Sequence, residues 1–431
     1  MVNESTIPLG EVADVTKLAG FEFTKYITYI PSGGVIAIRA LNVKNGELDL
    51  SNVKRISKDS SEKLPRSKLF RNDLVLTYTG ALCGKVALIS ENDRFHLAPN
   101  VAVLRPKSID PYFLYSYLRG QRFKSDFDRL SVGSTQKTVP MKNIRQIPIP
   151  ICSQREQRYI GQVACLLDTK IRTNKKMNQT LEEIVKAIFN SWFVDFDPVR
   201  AKAEGRSTGL PPEISDLFPD ELVDSEIGEI PKGWDIAPLD QIGNFRNGLA
   251  MQKYPAVDGE EKLPVVKIAQ LRKGSTDGDD LFASGVPSDY VITDGDYVFS
   301  WSGSLMAKYW VGGKGALNQH LFKVEEKTQP LWFIAGWVEH FMPEFQSIAE
   351  SKATTMGHIK REHLKQAICA IPSDDLIERS AEVIRPLIER SILNQQESTV
   401  LSELRDMLLP KLITGELRIP DAEKFLEEAG I

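Results

Sequence analysis

Two residue series with a spacing of seven constrain the fold of this 431-residue chain more than any other feature of its sequence. The members of each series share one heptad position, and the two series lie 220 residues apart: Leu167, Asn174, Leu181 and Ile188, then Leu387, Asn394, Leu401 and Leu408. Each series runs apolar, Asn, apolar, apolar, which is typical of a coiled-coil seam. Because the asparagine has the same place in both, the chain is predicted to be an internal repeat with two matching long helices.

The repeat extends into the segments that precede the helices. Arg71–Gly80 (RNDLVLTYTG) is similar to Asp294–Gly303 (DGDYVFSWSG), and each half has an Ile-Pro pair just before its helix, at 149–150 and 371–372. Turn residues followed by alternating β-branched and aromatic residues are typical of strands. We therefore predict an α+β fold, in which two globular α/β modules are joined by two long antiparallel coiled-coil helices with a pseudo-two-fold internal repeat.

Composition divides the chain into six segments. Residues 194–229 carry 3 Lys and Arg against 10 Asp and Glu and are rich in Pro and Gly, which is typical of a linker without a core of its own. The predicted segments are the first module at 1–152, the first helix at 153–193, the acidic linker at 194–229, the second module at 230–372, the second helix at 373–414 and a C-terminal tail at 415–431.

Two features of the predicted helices have alternative interpretations. Asn174 and Asn394 either fix the register of the helix pair from within the seam or lie on a polar stripe that faces solvent. Pro386 either kinks the second helix or marks its true start.

Charge is distributed unevenly along the chain. Residues 1–150 contain 22 Lys and Arg against 14 Asp and Glu, whereas residues 230–372 contain 15 against 17. The net charge of −4 therefore does not exclude a polyanionic partner, because positive charge is concentrated in the first module. Since no apolar run reaches the ~18–20 residues of a membrane span and the N-terminus lacks a signal-peptide pattern, we expect a cytoplasmic chain without a membrane partner.

The sequence contains no motif that predicts catalysis. Gly80–Lys85 (GALCGK) is one residue short of a phosphate-binding loop, and Val86 stands where a Ser or Thr would hold magnesium. His358 and His363 are five residues apart rather than four, and the cysteines form no CxxC pair, so no metal site is predicted. We expect neither catalytic residues nor a cofactor in this chain.

Three segments near the helix ends carry a resemblance to a known family. Residues 191–206 read SWFVDFDPVRAKAEGR, residues 229–234 read EIPKGW, and residues 404–419 read LRDMLLPKLITGELRI. They resemble the specificity subunits of type I restriction–modification systems. The doubled plan of module and helix extends this resemblance over essentially the whole chain, although the module interiors vary among family members.

The resemblance implies a function that the residues alone leave open. Each module would be a target recognition domain that reads one half of a bipartite, asymmetric DNA sequence. The two helices would set the spacing between the halves and would dock two copies of a modification subunit, an adenine methyltransferase that carries S-adenosylmethionine. In this family a restriction subunit can join to cleave DNA, and the specificity subunit itself catalyses nothing. The implied partners are therefore double-stranded DNA and these other subunits.

Two loops in each module are predicted to contact DNA. The first loop has small hydroxyl side chains and lysines that suit phosphate contacts, although an ordinary helix-capping turn explains them equally well. Its candidate residues are Ser134, Thr135, Gln136, Lys137 and Thr138 in the first module, and Thr354, Thr355, His358 and Lys360 in the second. The second loop contributes Thr79, Cys83, Gly84 and Lys85 in the first module, matched by Ser302, Ser304, Leu305, Met306 and Lys308 in the second.

Basic and amide side chains in nearby turns are candidates for reading bases, because Arg or Lys suits guanine and Asn or Gln suits adenine. These candidates form a pool that consists of Lys17, Lys25, Arg39, Asn42, Arg246, Asn247, Gln252, Lys253, Gln270 and Arg272. Taken singly, each also fits the description of a solvated surface residue. Tyr78 and Trp301 share one repeat position, and we expect them to pack on the sheet rather than to stack on bases.

The helix ends carry more large apolar residues than one seam needs. Besides the seam residues, Trp192, Phe193 and Leu412 are predicted to form a docking surface for partner helices, with packing against the chain's own modules as the alternative. Two other function classes stay open from the residues alone: a coiled-coil scaffold that binds only protein, and an enzyme with an unrecognised nuclease centre. Salt-sensitive binding of duplex DNA would argue against the scaffold, and metal-dependent cleavage by the isolated chain would support the nuclease.

Overall fold

The computed structural model describes residues 6–44, 46–133, 137–276, 281–351 and 357–428. The chain forms two compact units. The first unit contains the residues up to Ile171 and those from Val400 onwards, and the second contains Arg172–Thr399. Each long helix therefore contributes one part to the first unit and another part to the second. Within the described ranges, no helix combines the length and the apolar character that crossing a membrane requires.

The first unit is built on a four-stranded antiparallel sheet. Its strands, in spatial order, are Ala13–Lys17, Val101–Pro106, Leu74–Thr77 and Val86–Leu88. Leu74 and Leu76 pack into the same core as the helix Pro111–Arg119, whereas Val75 packs with the strands of a second sheet. The middle strand is therefore buried on both faces, which explains why it is a continuous apolar run in the sequence.

The second sheet of the first unit is mixed. Its five strands, in spatial order, are Tyr29–Ile30, Lys54–Ile56, Val35–Ile38, Phe95–Leu97 and Lys68–Leu69, and the third and fourth of these run parallel. A short antiparallel pair, Thr6–Pro8 with Pro148–Pro150, joins the two ends of the module. The helices of the module are Leu9–Val12, Gly20–Tyr26, Lys58–Glu62, Pro111–Arg119, Gln121–Arg129 and Met141–Arg145, with 3₁₀ turns at Ala40–Asn42 and Pro65–Ser67.

The second unit repeats this plan. Its main antiparallel sheet consists, in spatial order, of Gly243–Asn247, Leu321–Glu326, Tyr297–Ser300 and Met306–Tyr309. Its mixed sheet consists of Phe282–Ala283, Leu263–Val266, Gly315–Leu317 and Val291–Ile292, again with one parallel pair in the middle. Asp235–Pro238 with Ile368–Ile371 joins the ends of the module. The shared strand order and the shared position of the parallel pair confirm the internal repeat predicted from the sequence.

The second module has fewer and, on average, longer helices than the first in the described residues. They are Leu239–Ile242, Ile268–Lys273, Leu331–Ser351 and Arg361–Gln366, with 3₁₀ turns at Met251–Lys253 and Ser288–Tyr290. Leu331–Ser351 is one continuous helix, whereas the matching stretch of the first module is divided at Gly120 into two shorter helices.

The predicted acidic linker, residues 194–229, has ordered elements in the second unit. These are the helices Asp197–Ala203 and Pro212–Ser215, the strand Leu222–Ser225 and the start of its hairpin partner Gly228–Pro231. Phe218 is 1% exposed and belongs to the core of the second unit together with Val199. This segment thus contributes buried apolar side chains to the core of the second unit, although its Ile227 is exposed.

The two long helices are the longest elements of the chain. The first runs Gln154–Phe189 and continues as a π turn over Asn190–Val194, and the second runs Asp374–Thr414. Because the second helix begins ahead of Pro386, the interpretation of Pro386 as its start is wrong. Leu376 and Ile384 anchor the first turns of this helix in the core of the second unit, while Pro386 is exposed. A short helix, Ile419–Glu428, follows the second long helix.

The long helices pair antiparallel inside each unit. In the first unit, Leu167 and Leu401 pack in one small cluster. In the second unit, the Nδ2 group of Asn178 donates to the carbonyl oxygen of Ser391 at 2.9 Å. Asn178 comes after Leu167 in the first helix, whereas Ser391 comes before Leu401 in the second helix, so the two helices run in opposite directions. The antiparallel arrangement predicted from the sequence is confirmed.

The seam asparagines are buried and hydrogen-bonded. Asn174 is 2% exposed and Asn394 is 1% exposed. The Nδ2 group of Asn174 donates to Glu397 Oε2 at 2.7 Å, and Nδ2 of Asn394 donates to Asn178 Oδ1 at 2.9 Å. Since these side chains do not face solvent, the polar-stripe interpretation is wrong, and a buried polar layer fixes the pairing of the helices in the second unit.

Candidate nucleic-acid interface

In the first module, polar side chains gather where the middle strand Leu74–Thr77 ends. Tyr78 follows that strand, and the Nζ atom of Lys17, the last residue of the outer strand, lies 5.3 Å from the centroid of the Tyr78 ring. Tyr78 is 8% exposed, and its burial raises the pKa of the phenol above the ordinary value. The ring therefore stays uncharged at neutral pH and can support the lysine ammonium through its face.

A loop on the other side of this strand end brings further candidates to the same place. Thr138 pairs with Thr79 across an isolated bridge, and the two hydroxyl oxygens are 3.2 Å apart. The N–H of Gly80 donates to the carbonyl oxygen of Lys137 at 2.9 Å, while the Lys137 ammonium lies 3.2 Å from Asp128 Oδ1 at the surface. We call Lys17, Tyr78, Thr79, Lys137 and Thr138 the Tyr78 cluster. Ser134, Thr135 and Gln136 lie outside the described residues.

The second module has a cluster at the corresponding strand end. The indole Nε1 of Trp301 donates to Asn247 Oδ1 at 3.0 Å. Ser302 pairs with His358 across an isolated bridge, and the Ser302 hydroxyl lies 3.0 Å from Nδ1 of His320. The Trp301 ring centroid is 5.8 Å from that of His320 and 6.4 Å from that of His358. We call Asn247, Trp301, Ser302, His320 and His358 the Trp301 cluster. Thr354 and Thr355 lie outside the described residues.

The register of the sheets shows that the two clusters occupy equivalent positions. Lys17 lies opposite Ala102 in the first module, and Asn247 lies opposite Phe322 in the second. The neighbouring pair Thr77 and Val101 corresponds in the same way to Ser300 and Leu321. The two modules therefore present different side chains from one backbone frame.

His320 is the member of the Trp301 cluster that the sequence alone did not predict. It sits in the turn before the strand Leu321–Glu326, where the first module has Asn100 with a left-handed φ of 70°. The N–H of Tyr78 donates to the carbonyl oxygen of Asn100 at 3.2 Å, which places this turn beside the Tyr78 ring. The signal that could have found it is the repeat itself, because Asn100 and His320 are 220 residues apart like the seam residues.

In the second module, the side chains of the predicted DNA-contact residues Arg246 and Lys308 bind other groups of the protein. Arg246 lies 3.2 Å from Asp289 and 3.2 Å from Glu325, so its charge is matched by two carboxylates. The Lys308 ammonium donates to the carbonyl oxygen of Arg272 at 3.1 Å. Burial lowers the pKa of Lys308, an effect that the charge of Glu182 opposes. The groups that Arg246 and Lys308 bind here are therefore not members of the Trp301 cluster.

The remaining predicted residues lie on short elements outside the two clusters. Lys25 is in the helix Gly20–Tyr26 with its ammonium 5.1 Å from the Tyr26 ring centroid, and Lys85 ends a turn in which its own N–H donates to Thr77 Oγ1 at 2.9 Å. Lys253, Arg272 and Lys360 are exposed. Lys360 precedes the helix Arg361–Gln366, and its N–H donates to His363 Nδ1 at 2.9 Å.

The large apolar residues at the helix ends are buried. Trp192 and Phe193 belong to the core of the second unit, where the Phe193 and Phe333 ring centroids are 5.2 Å apart. Leu408 and Leu412 belong to the core of the first unit. Leu181, Ile188 and Leu387 are half-buried along the seam. This burial corresponds to the alternative in which these residues pack against the chain's own modules.

Other apolar side chains of the long helices are exposed instead. In the first unit they are Leu166, Val400 and Met407, and in the second unit they are Met177, Ile184 and Leu393. They lie outside the two seven-residue series, because those series mark the seam of the helix pair.

Similarity to known proteins extends over most of the chain. Residues 1–183 match the family model of the type I restriction modification DNA specificity domain. The type I restriction enzyme MjaIX specificity subunit of Methanocaldococcus jannaschii is 26% identical over 318 residues, which cover 72% of this chain and 69% of that protein. The HindI specificity subunit of Haemophilus influenzae is 22% identical over 450 residues, covering 92% of this chain and 96% of that protein. The solved S subunit of a type I restriction–modification system from M. genitalium has a TM-score of 0.57 at 15% identity, with coverage of 96% and 97%, and shares the fold.

Proposed function

The chain belongs to the family of type I restriction–modification specificity subunits, and we propose that it is the non-catalytic subunit that recognises a bipartite, asymmetric site in double-stranded DNA. Each module reads one half of the site. The observation that carries the proposal is the equivalence of the Tyr78 cluster and the Trp301 cluster. A shared backbone frame suits a shared ligand, and different side chains on that frame suit two different base sequences.

The charge of the modules supports an unequal share in DNA affinity. Lys17, Lys25 and Lys137 are exposed in the first module, where Lys and Arg outnumber Asp and Glu by 22 to 14 over residues 1–150. The second module has no such excess, and its Arg246 is neutralised by Asp289 and Glu325. Phosphate contacts supply most of the salt-dependent affinity of a DNA-binding protein. We therefore expect the isolated chain to bind DNA weakly and the complex with its partner subunits to bind it well.

The helix pair supports the second part of the proposal. The long helices are the elements that pass from one unit to the other, so we assign them the spacing between the two half-sites. Each unit also exposes three apolar side chains on these helices, which suits the docking of one modification subunit per unit. That partner carries S-adenosylmethionine and methylates adenine, and a restriction subunit can join the same complex in the cytoplasm.

Exchange of one module tests the proposal. Residues 1–152 are replaced by the matching module of another specificity subunit, and the chain is expressed together with its modification partner. Sequencing of methylated adenines across the genome is expected to show a change in one half of the site and an unchanged second half. A change in both halves would refute the assignment of one half-site to each module.

Salt titration separates this function from that of a protein-only scaffold. The complex of this chain with its modification subunit is titrated with duplex DNA that carries the mapped site at several salt concentrations. We expect the logarithm of the binding constant to fall linearly with the logarithm of salt concentration, because phosphate contacts release counterions. A complex whose modification partner is active but which shows no salt-dependent DNA binding would favour the scaffold.

A further inference from the structure

We propose that the last residue of the outer strand, Lys17 in the first module and Asn247 in the second, is the base-reading position of each module. Lys17 reads a guanine and Asn247 reads an adenine, each at one base pair of its half-site. This inference rests on the proposed function, because it names the chemical groups that the two clusters recognise in DNA.

Lys17 and Asn247 occupy equivalent positions in the two modules. Lys17 ends the strand Ala13–Lys17 and lies opposite Ala102 of the strand Val101–Pro106. Asn247 ends the strand Gly243–Asn247 and lies opposite Phe322 of the strand Leu321–Glu326. Both are exposed, and both contact the aromatic residue that follows the middle strand. The backbone position is the same in both modules, but its side chain is Lys in the first and Asn in the second. This difference can give the two modules different base preferences.

The side-chain amide of Asn247 has a fixed orientation. Trp301 Nε1 donates only, so the atom 3.0 Å away must be the amide oxygen, and the amide cannot be turned over. The Trp301 ring is itself held by Phe322 at 5.9 Å and by His320 at 5.8 Å between centroids. Among the described residues, Nδ2 of Asn247 has no hydrogen-bond partner. It is therefore ready to donate to adenine N7 while the second lone pair of Oδ1 accepts from adenine N6, the usual pairing of Asn with this base.

The side chain of Lys17 has the hydrogen-bonding character that suits guanine. An ammonium group donates hydrogen bonds and accepts none, so in the major groove it suits guanine, whose O6 and N7 both accept. The Tyr78 ring, 5.3 Å from Nζ, limits the positions that the flexible lysine adopts. Among the described residues, Lys17 forms no ion pair, in contrast to Arg246, which is next to Asn247 in the chain and is bound to two carboxylates.

Reciprocal exchange of the two residues tests the inference. Lys17→Asn and Asn247→Lys are each expressed with the modification partner, and methylated sites are mapped in a plasmid library of random sequence. We expect Lys17→Asn to change one guanine of the first half-site to adenine, and Asn247→Lys to change one adenine of the second half-site to guanine. The other half-site stays unchanged in each case. Lys58→Asn makes the same change as Lys17→Asn, and Gln241→Lys likewise replaces a side-chain amide by lysine; both positions are exposed and outside the clusters, and both variants are expected to leave the site unaltered.

A base analogue provides a second readout that does not depend on variant activity. In duplexes with the mapped site, each adenine of the second half-site is replaced in turn by 7-deazaadenine, which lacks the N7 acceptor. The wild-type complex is expected to lose about tenfold in affinity at one adenine. Asn247→Ala is expected to lose nothing further at that adenine, and Trp301→Phe, which removes the N–H that fixes the amide, is expected to reduce the penalty.

The outcomes separate this inference from the proposed function. If the exchange variants methylate specific sites with unchanged bases, or if no adenine of the second half-site responds to deaza substitution in the wild type, the base-reading assignment is refuted while the function stands. If the wild-type complex methylates no defined bipartite site, the proposed function itself fails. If Asn247→Lys is folded but inactive, the 7-deazaadenine result on the wild-type complex decides its assignment. If Lys17→Asn is folded but inactive, 7-deazaguanine at each guanine of the first half-site is used in the same way, and a wild-type complex that responds at none of them refutes the assignment of Lys17.

Discussion

His96 is a buried titratable residue in the mixed sheet of the first unit. It is 0% exposed, Nδ1 donates to the carbonyl oxygen of Leu97 at 2.8 Å, and burial lowers its pKa below the ordinary 6.5. Because the unfolded chain takes up this proton at a higher pH than the folded chain does, stability is lost as the pH falls below about 6.5. We expect the melting temperature to fall between pH 7 and pH 5, and the fall to be smaller in His96→Gln.

The comparison with His96→Gln isolates this residue from the other titrating groups. Both proteins are melted in the same buffers, followed by circular dichroism. An identical pH slope in the variant and the wild type would show that His96 does not contribute, since every other titratable group is common to both.

Asp73 supports a turn that has a counterpart in the second module. Its carboxylate is 3% exposed, accepts two hydrogen bonds from Arg105 at 2.9 and 2.8 Å, and accepts a third from the N–H of Phe70 at 2.9 Å. Asp73→Asn removes the carboxylate charge beside Arg105 and leaves its hydrogen bond to the carbonyl oxygen of Lys68. Because Arg105 is partly exposed, we expect a loss of about 2 kcal/mol in the free energy of unfolding, less than for a fully buried pair. Urea denaturation measures it.

An exposed ion pair serves as the control for Asp73. Asp59 and Lys63 form such a pair one helical turn apart, and Asp59→Asn is expected to leave the unfolding midpoint nearly unchanged. Equal effects of the two substitutions would contradict the role assigned to the buried carboxylate. Asp296 is the equivalent of Asp73 in the second module, where it accepts from the N–H of Thr293 at 2.7 Å. Its cation is Lys323 at 3.0 Å, which stands at a different register position from Arg105, and the same experiment should give the same direction.

At the scale of single residues, the repeat predicts which positions of the two modules correspond but not which residues meet within a module. It aligns Thr79 with Ser302 and Thr138 with His358, whereas the structure pairs Thr79 with Thr138 and Ser302 with His358. The sequence could not show that Arg246 is neutralised, because its partners Asp289 and Glu325 are distant in the chain and meet it only in the folded sheet.

At the scale of elements, the polar layer of the helix pair contains one asparagine that the heptad series omits. Asn178 is buried, donates to the carbonyl oxygen of Ser391 and accepts from Nδ2 of Asn394. Asn178→Ala leaves both of these buried groups without their partner. We expect the free energy of unfolding to fall by about 1–3 kcal/mol, measured by urea denaturation.

The neighbouring position Thr180 gives the matched control for Asn178. It is exposed on the same helix, and Thr180→Ala is expected to change stability by less than about 0.5 kcal/mol. If Asn178→Ala were as mild as Thr180→Ala, the polar layer would not contribute to the stability of the helix pair.

The continuity of the second long helix shows where local sequence rules reach their limit. Proline costs roughly 3 kcal/mol inside a helix because it removes an N–H and crowds the preceding turn. The apolar face formed by Leu376, Ile377, Ala381 and Ile384 is buried in the core of the second unit and offsets that cost. Burial of this face is a tertiary effect, so the sequence left both interpretations of Pro386 open.

At the scale of the whole molecule, heptad spacing and the repeat predict the doubled plan but not which segments make up each unit. Heptad spacing predicts that a helix has a partner, and it does not say which module covers its outer side. In the structure, Leu408, Leu412 and Ala422 complete the core of the first unit, although more than 200 residues separate them from the first module in the sequence. We therefore expect the C-terminal part of the chain to be needed for the stability of the first unit.

Leu408→Ala tests this dependence. Leu408 is 1% exposed, and its truncation leaves a cavity in the core that it shares with Ile160 and Ala164. We expect a loss of about 2–4 kcal/mol and faster amide hydrogen exchange in the strand Val101–Pro106 of the first module. Met407→Ala, at the exposed neighbouring position, is the control. Faster exchange confined to the helix itself would contradict the assignment of this segment to the first unit.

The assignment of the spacing to the helix pair predicts that longer helices widen the recognised site. One heptad inserted after Ile171 and one after Thr399 lengthens both helices by about 10 Å and keeps the seam in register. At 3.4 Å per base pair this corresponds to about three additional base pairs between the half-sites. Mapping of methylated sites is expected to return the same two half-sites with the longer spacing. Seven residues inserted in the exposed loop at Ser207 should leave the spacing unchanged. Unchanged spacing with the lengthened helices, in a complex that still methylates, would show that another part of the chain sets the distance.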